Sequence, residues 1–340
     1  MFNGVPDQPC PFLQTFASSP DADFEGSLLL EQHQAPIAAA LTPAFASDST
    51  PEVLASAVQI CAVFVGSGVV KQVDRMGRIL KLLTNALEQC QDADMASLGE
   101  VRDLSTNASI MLKISILTAW AELQSASVRQ AYLRDVIKPH RAALAPFWVT
   151  SLRDYARIRT DPEAGPGSSM GSSADLAASG LGREVLLPYY ERSWAPILQA
   201  IASTMEEKDL YVLSAMDGVE LPVGTTPPPP PVNRSDPTTY FYVVYGLAFE
   251  ALATSAGESS SYHSETGTPV PITALTAMKS LVEQRFAGDV LMEGPIFDEL
   301  CTLFYRLAMT APPVAQAHMV LVLAAFAKSH AATLAKGAAA

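Results

Sequence analysis

The clearest periodic stretch of the chain sets Val73, Met76, Leu80, Leu83 and Leu87 on one face of a helix and Lys71, Asp74, Arg78, Lys81 and Glu88 on the other. From Pro51 onward the 3.6-residue spacing recurs. A helix from about Leu104 to Leu123 carries Ala108, Met111, Ile114, Leu117 and Trp120, an apolar face broad enough for two neighbours. Further helices are predicted at about Val128 to Ile137, Leu144 to Ile158, Arg183 to Met205, Thr238 to Ala256, Ile272 to Phe286, Ile296 to Met309 and Pro313 to Leu334. Ile60 to Val65 and Tyr240 to Tyr245 have the β-branched and aromatic content of strands, yet each runs straight on into helical spacing. The expectation is an all-α chain whose helices, joined by short loops, pair as antiparallel hairpins.

A faint internal echo sharpens that picture. Lys138-Pro139-His140 leads to Ala145-Pro146-Phe147-Trp148, and about fifty residues later Leu187-Pro188-Tyr189 leads to Trp194-Ala195-Pro196-Ile197. Two-helix units of HEAT type run about 40 to 47 residues, and an insertion between helices stretches that period. The expected fold class is therefore all-α, an α-solenoid of HEAT-type antiparallel helix hairpins over residues 51–335. Residues 1–50, rich in Pro, Ser, Ala and Asp with one short helix near Leu28 to Gln34, read as a loosely ordered N-terminal segment. Flexible insertions are expected at 161–182, 219–237 and 255–269, where apolar anchors are scarce. The proline run Pro227 to Pro231 favours a polyproline II rod, read as a stiff spacer ahead of an SH3 or WW ligand. Ser259-Ser260-Ser261 offers acceptors for phosphate.

Composition narrows the function. Hydrophobic residues make up 49% and charged residues 17%, a balance suited to helices packed on more than one side. A net charge of -13 repels a phosphate backbone, so no nucleic-acid partner is expected. Val53 to Val70 runs without a charge, but Ser56, Gln59 and the Gly66-Ser67-Gly68 break leave too short a helix to cross a bilayer, so no transmembrane segment is expected. Cys10, Cys61, Cys90 and Cys301 lack metal or disulfide spacing, and MFNGVPDQPC lacks a secretory pattern. A cytoplasmic protein with reduced thiols is expected.

Each candidate for chemistry has a simpler reading beside it. Ala62 to Val65 followed by Gly66-Ser67-Gly68 mimics a dinucleotide-binding turn, but Lys71 replaces the third glycine and no second strand with an acidic end follows. Gly167-Ser168-Ser169-Met170-Gly171 matches the nucleophile-elbow pattern inside a low-complexity loop with no strand and helix to hold it. His33, His140, His263, His318 and His330 never lie within four residues of one another, so no helix face presents a metal pair. Glu206-Glu207 reads as solvated charge at a helix end. Asn107 and Asn233 open glycosylation sequons that a cytosolic chain would not use. The expectation is a non-enzyme with no catalytic, cofactor-binding or metal residues, no cofactor and an unknown protein-binding surface. Exposed members among Trp148, Tyr155, Trp194 and Tyr305 are candidate anchors.

Several blocks carry a family likeness. Ala131-Tyr132-Leu133-Arg134-Asp135-Val136-Ile137-Lys138-Pro139, Leu144 to Val149 and Leu152 to Ala156 resemble the HEAT-repeat protein five family, as do Phe241 to Leu252, Ala274 to Leu281, Ile296 to Leu300 and Tyr305 to Ala308. The resemblance spans about residues 51–325. That family includes the large accessory protein of the clathrin adaptor complex one, and its members are very long helical solenoids, which would make this chain one internal segment. The resemblance implies a non-catalytic protein-binding scaffold whose partners are clathrin adaptor complex subunits and small linker proteins. It further implies vesicle traffic between endosomes and the trans-Golgi network, with peripheral membrane association only through those partners. The alternatives are an unrelated helical-repeat scaffold, in nuclear transport or kinase association, and a nucleotide-binding enzyme built on the Gly66-Ser67-Gly68 turn.

Overall fold

A computed structural model of the chain describes residues 11–46, 49–69, 79–88, 106–160, 179–219, 234–256 and 268–331, with 221, 225 and 231 as isolated positions. The described residues are helical, with a lone β-bridge between Pro20 and Leu28 in place of any strand. The chain is all-α. Its described residues fall into two compact units, one taking the chain up to Pro139 and again up to Pro196, the other taking His140 to about Asp161 and the chain from Ile197 onward.

The first unit is built on α3 (Pro51–Gly66). Thr50 caps its N-terminus by accepting from the Val53 amide, Pro51 fits the first turn where its missing N–H costs nothing, and Glu52 faces the positive end of the helix dipole. Cys61, Ala62, Val63, Phe64 and Val65 are all buried, so this run is core helix and not strand. α1 (Pro11–Ser18) packs on it, and α2 (Gln34–Leu41) follows two short turns later. Helical structure thus occupies part of 11–46, with Ala17 and Leu41 as the buried contacts. In α4 (79–88) Leu80, Leu83 and Leu87 are buried while Lys81 and Glu88 are exposed, as the periodicity required. Lys71 to Arg78 lie outside the described residues.

α5 (Thr106–Ser127) lies along α3. A Cβ at Gly66 would meet Ala126 at 3.4 Å and Leu123 at 3.9 Å, so the two helices finish side by side and run in the same sense there. That is the relation between equivalent helices of stacked repeats. Gln130, just beyond α5, donates to the Gly66 carbonyl at 2.8 Å and satisfies one of the end carbonyls of α3. α6 (Ala131–Ile137) then packs on α5 with Leu133 and Ile137 buried.

In the second unit, which takes α8 (Ser179–Glu206) from Ile197 onward, α7 (Arg141–Thr160) begins near the end of α8. Buried Arg141 pairs with Glu207 at 2.6 Å and with Asp209 at 3.0 Å, fixing the start of α7 to the chain just beyond α8. Asp209 also caps α9 (Leu210–Met216), accepting from Tyr211 at 2.9 Å. α10 (Phe241–Ser255) lies against α7, with Arg159 bound to Glu250. α11 (Val270–Leu281) packs on α10, and after the single turn α12 (Gln284–Ala287) come α13 (Gly294–Thr310) and α14 (Pro313–Ser329). α11 and α14 finish together: His330 Nε2 lies 3.0 Å from the Val282 carbonyl, and Ser329 Oγ accepts from the Gln284 amide at 2.7 Å.

Two expectations change. The echo between 138–148 and 187–197 holds only in part, because Pro146 and Pro196 both lie inside helices whereas Pro139 lies in the turn before α7 and Pro188 inside α8. The helix expected across 272–286 breaks at Val282–Glu283, where the chain turns into α12 to bury Phe286. Residues 161–178, 222–224, 226–230, 232–233 and 257–267, where most of the three insertions fall, lie outside the described residues.

Candidate interaction surfaces

Of the four candidate aromatic anchors, α7 takes two into the core. Trp148 and Tyr155 recur with Leu144 and Leu152 at spacings of four, four and three, the buried stripe of the helix. They hold the second unit together and are unavailable to a partner. Trp194 is half-buried on α8. Tyr305 on α13 is 69% exposed and is the one of the four that fits an interface role. Nearby exposed apolar side chains include Met309 on α13 and Val314, Val320 and Leu321 on α14.

A second aromatic feature runs along α10. Phe241 and Tyr245 stack with centroids 5.1 Å apart, and Tyr245 and Phe249 at 5.9 Å, while Tyr242 points outward. Burial, reinforced by the Glu299 carboxylate, raises the Tyr245 phenol well above its usual range, so it stays a neutral hydroxyl. This row is structural on its inner side and apolar on its rim.

The motif candidates resolve into helix architecture. Ala62 to Val65 is helical, Ser67 is the C-cap of α3, and Gly68 adopts φ +83°, the left-handed conformation that ends a helix. A strand followed by a glycine turn and a helix is what a dinucleotide pyrophosphate needs, and here a helix stands where that strand would be. The nucleotide-binding alternative is thereby corrected. Gly167 to Gly171, His263, Cys10, Cys90 and Asn233 lie outside the described residues. Among the described residues no cluster of His, Cys, Asp and Glu has the geometry to hold a metal ion. His318 turns Nδ1 to the Val314 carbonyl at 2.9 Å, and His330 is buried against α11.

Ionisable groups serve packing. Burial pushes the Cys61 thiol up to about 12, which keeps it a protonated apolar group. Glu206 and Glu207, expected to be solvated charge at a helix end, are exposed there and are also paired, with Lys279 at 2.7 Å and with Arg141 at 2.6 Å. Sequence separation hid both partners. Glu250 is held below the usual carboxylate range by its hydrogen bonds to Arg159. Glu122 on α5 is the exception without such a partner, and burial pushes its carboxyl up to about 7. None of these groups is placed against another in a way that makes a nucleophile and base pair. What the described surface offers is shape and apolar contact.

Comparison with known proteins agrees with that character. Residues 12–157 match the family described as the Laa1/Sip1/HEATR5 HEAT repeat region. The chain is 23% identical over 303 residues to the AP-1 accessory protein LAA1 of Saccharomyces cerevisiae, an alignment that takes in 88% of this chain and 14% of the relative. The chain therefore spans about one seventh of the length of that curated relative. No solved structure matches. No described helix is long and apolar enough to cross a membrane.

Proposed function

We propose that this chain, whose residues 12–157 match the family described as the Laa1/Sip1/HEATR5 HEAT repeat region, is a non-catalytic scaffold that binds clathrin adaptor complex subunits and their small linker proteins. The observation that carries the reading is the 303-residue alignment with the AP-1 accessory protein, which is longer than either compact unit and so draws on both. Its work is done by helix surfaces: the interior is taken up by paired charges and buried aromatics, leaving exposed faces to meet partners. The protein acts in traffic between endosomes and the trans-Golgi network, reaching membranes through its partners. Tyr305 is the anchor assigned to the adaptor-facing surface.

The test is direct binding of the purified full chain to purified clathrin adaptor complex one and, separately, to its linker proteins, at physiological salt. Saturable binding to either supports the reading, and Tyr305→Ala then weakens it by about tenfold or more with thermal stability unchanged. Absence of binding to both sinks the adaptor assignment. Binding that Tyr305→Ala leaves untouched removes Tyr305 from the surface.

A further inference from the structure

The connection from α9 to α10 ends in a strap, residues 234–240, stitched to two pieces of chain that are far apart in sequence. One side is tied to the end of α9. Arg234 pairs with Asp217 at 2.5 Å, Thr239 Oγ1 donates to the Asp217 carbonyl at 2.8 Å, and the Tyr240 amide donates to the Met216 carbonyl at 3.1 Å. The other side is tied to α12 and the turn after it. The Thr238 amide donates to the Phe286 carbonyl at 2.8 Å, and the Asp289 amide donates to the Ser235 carbonyl at 2.9 Å. Since α9 follows α8 and α12 follows α11, the strap runs from the edge of one helix pair to the edge of the next.

The fit is close and specific. Gly288 has φ +58°, and a Cβ there would lie 2.3 Å from the Ser235 carbonyl oxygen and 2.7 Å from the Asp236 carbonyl carbon, so only glycine lets the strap lie down. Yet little apolar surface holds it. Thr238 is the one buried residue of the seven, at 3% exposure, and its hydroxyl has no hydrogen-bond partner among the described residues. That hydroxyl is hydrated when the strap is lifted and unsatisfied when it is down, so it opposes closure. The main opposing grip is the Arg234–Asp217 pair, whose side chains are 21% and 19% exposed and so within reach of water. A segment held by solvent-accessible polar contacts, with scant apolar burial and one buried polar group working against it, belongs to the part of a fold that opens first.

We propose that residues 234–240 form a latch that opens and closes on its own, fastening α9 to α12 when down and leaving the two free to part when lifted, while α10 and α11 stay folded. This goes beyond the scaffold reading and does not depend on it.

Amide hydrogen exchange of the full chain, read residue by residue, tests the proposal. The amides of Thr238, Tyr240 and Asp289 should exchange together and at least about a hundredfold faster than those inside α10 and α11. Thr238→Val keeps the shape and removes the unsatisfied hydroxyl, so it should slow all three about tenfold, whereas Arg234→Gln should speed them about tenfold. Gly288→Ala prevents closure, and protection should vanish at the three amides and persist in α10 and α11. A purely structural connection would make every one of these substitutions speed exchange, so faster exchange in Thr238→Val overturns the latch. So do three amides that exchange only as slowly as the helix interiors, or a Gly288→Ala protein that either keeps them protected or loses protection throughout the second unit.

Discussion

Helices α5 and α14 are both apolar around most of their circumference, and they differ in how much of it is covered. In α5 every residue from Ile114 to Ala121 is buried, so the helix is enclosed on all sides, with α3 and α6 among its neighbours. In α14 the buried residues recur only at Ala315, Met319, Val322 and Phe326, and the opposite face is open. A helix that is hydrophobic all round is written for neighbours on every side. α5 has them within its own unit, whereas α14 has α11 and α13 on one side and an apolar seam on the other. Apolar area removed from water is worth roughly 25 cal/mol per Å², so the enclosed helix is stabilised around its whole circumference and the open one along one side, with a face left for contact. The same sequence pattern therefore does two jobs, and substitutions separate them.

The largest effect is expected at the centre of α5. Trp120 is fully buried, and Trp120→Ala leaves a cavity that a close-packed interior cannot fill, costing about 3 to 5 kcal/mol. Urea unfolding followed by far-ultraviolet circular dichroism checks it. A loss under about 1 kcal/mol would mean that α5 is not enclosed, and the contrast with α14 would collapse.

A smaller, pH-dependent effect comes from Glu122 on the same helix. Its carboxyl titrates at about 7 in the folded chain against 4.5 when free, so the native state holds a proton that the unfolded state releases. Stability is then highest below pH 4.5, falls as pH rises through this window and levels off above about 7. The side chain retains some contact with solvent, which brings the span to about 1 to 3 kcal/mol. Glu122→Gln should abolish this share of the slope, matching the parent near pH 4.5 and exceeding it at pH 8. Equal stability of the two proteins at pH 8 would show that Glu122 ionises freely, and that α5 admits water on that side.

Much of the fold is legible in the pattern of apolar residues, and particular misses have physical reasons. Leu80, Leu83 and Leu87 alternate with Lys81 and Glu88, and a charge every turn is an unambiguous marker of the outer face. α9 escapes a periodicity reading because seven residues hold only two turns, although Asp209 before an apolar run is an N-cap signal that would have found it. The break between α11 and α12 has neither Gly nor Pro to announce it and follows from where Phe286 must go. Trp148 and Tyr305 show why the interaction surface was harder to read. Both sit at helical spacing among apolar neighbours, and only the partner helices decide that one is core and the other exposed. Glu206 and Glu207 met the same obstacle, since Lys279 and Arg141 are distant in sequence.

The smallest expected effect is the one that isolates the open face. Leu321 has the chemistry of a core residue but half of it meets water, so Leu321→Ser removes little burial and exposes no new polar group. In dilute solution its stability should stay within about 0.5 kcal/mol of the parent, as for an ordinary surface position. Thermal melts of the two proteins read the difference. A large loss in the dilute sample would place Leu321 inside a covered interface of the isolated chain, and α14 would then resemble α5.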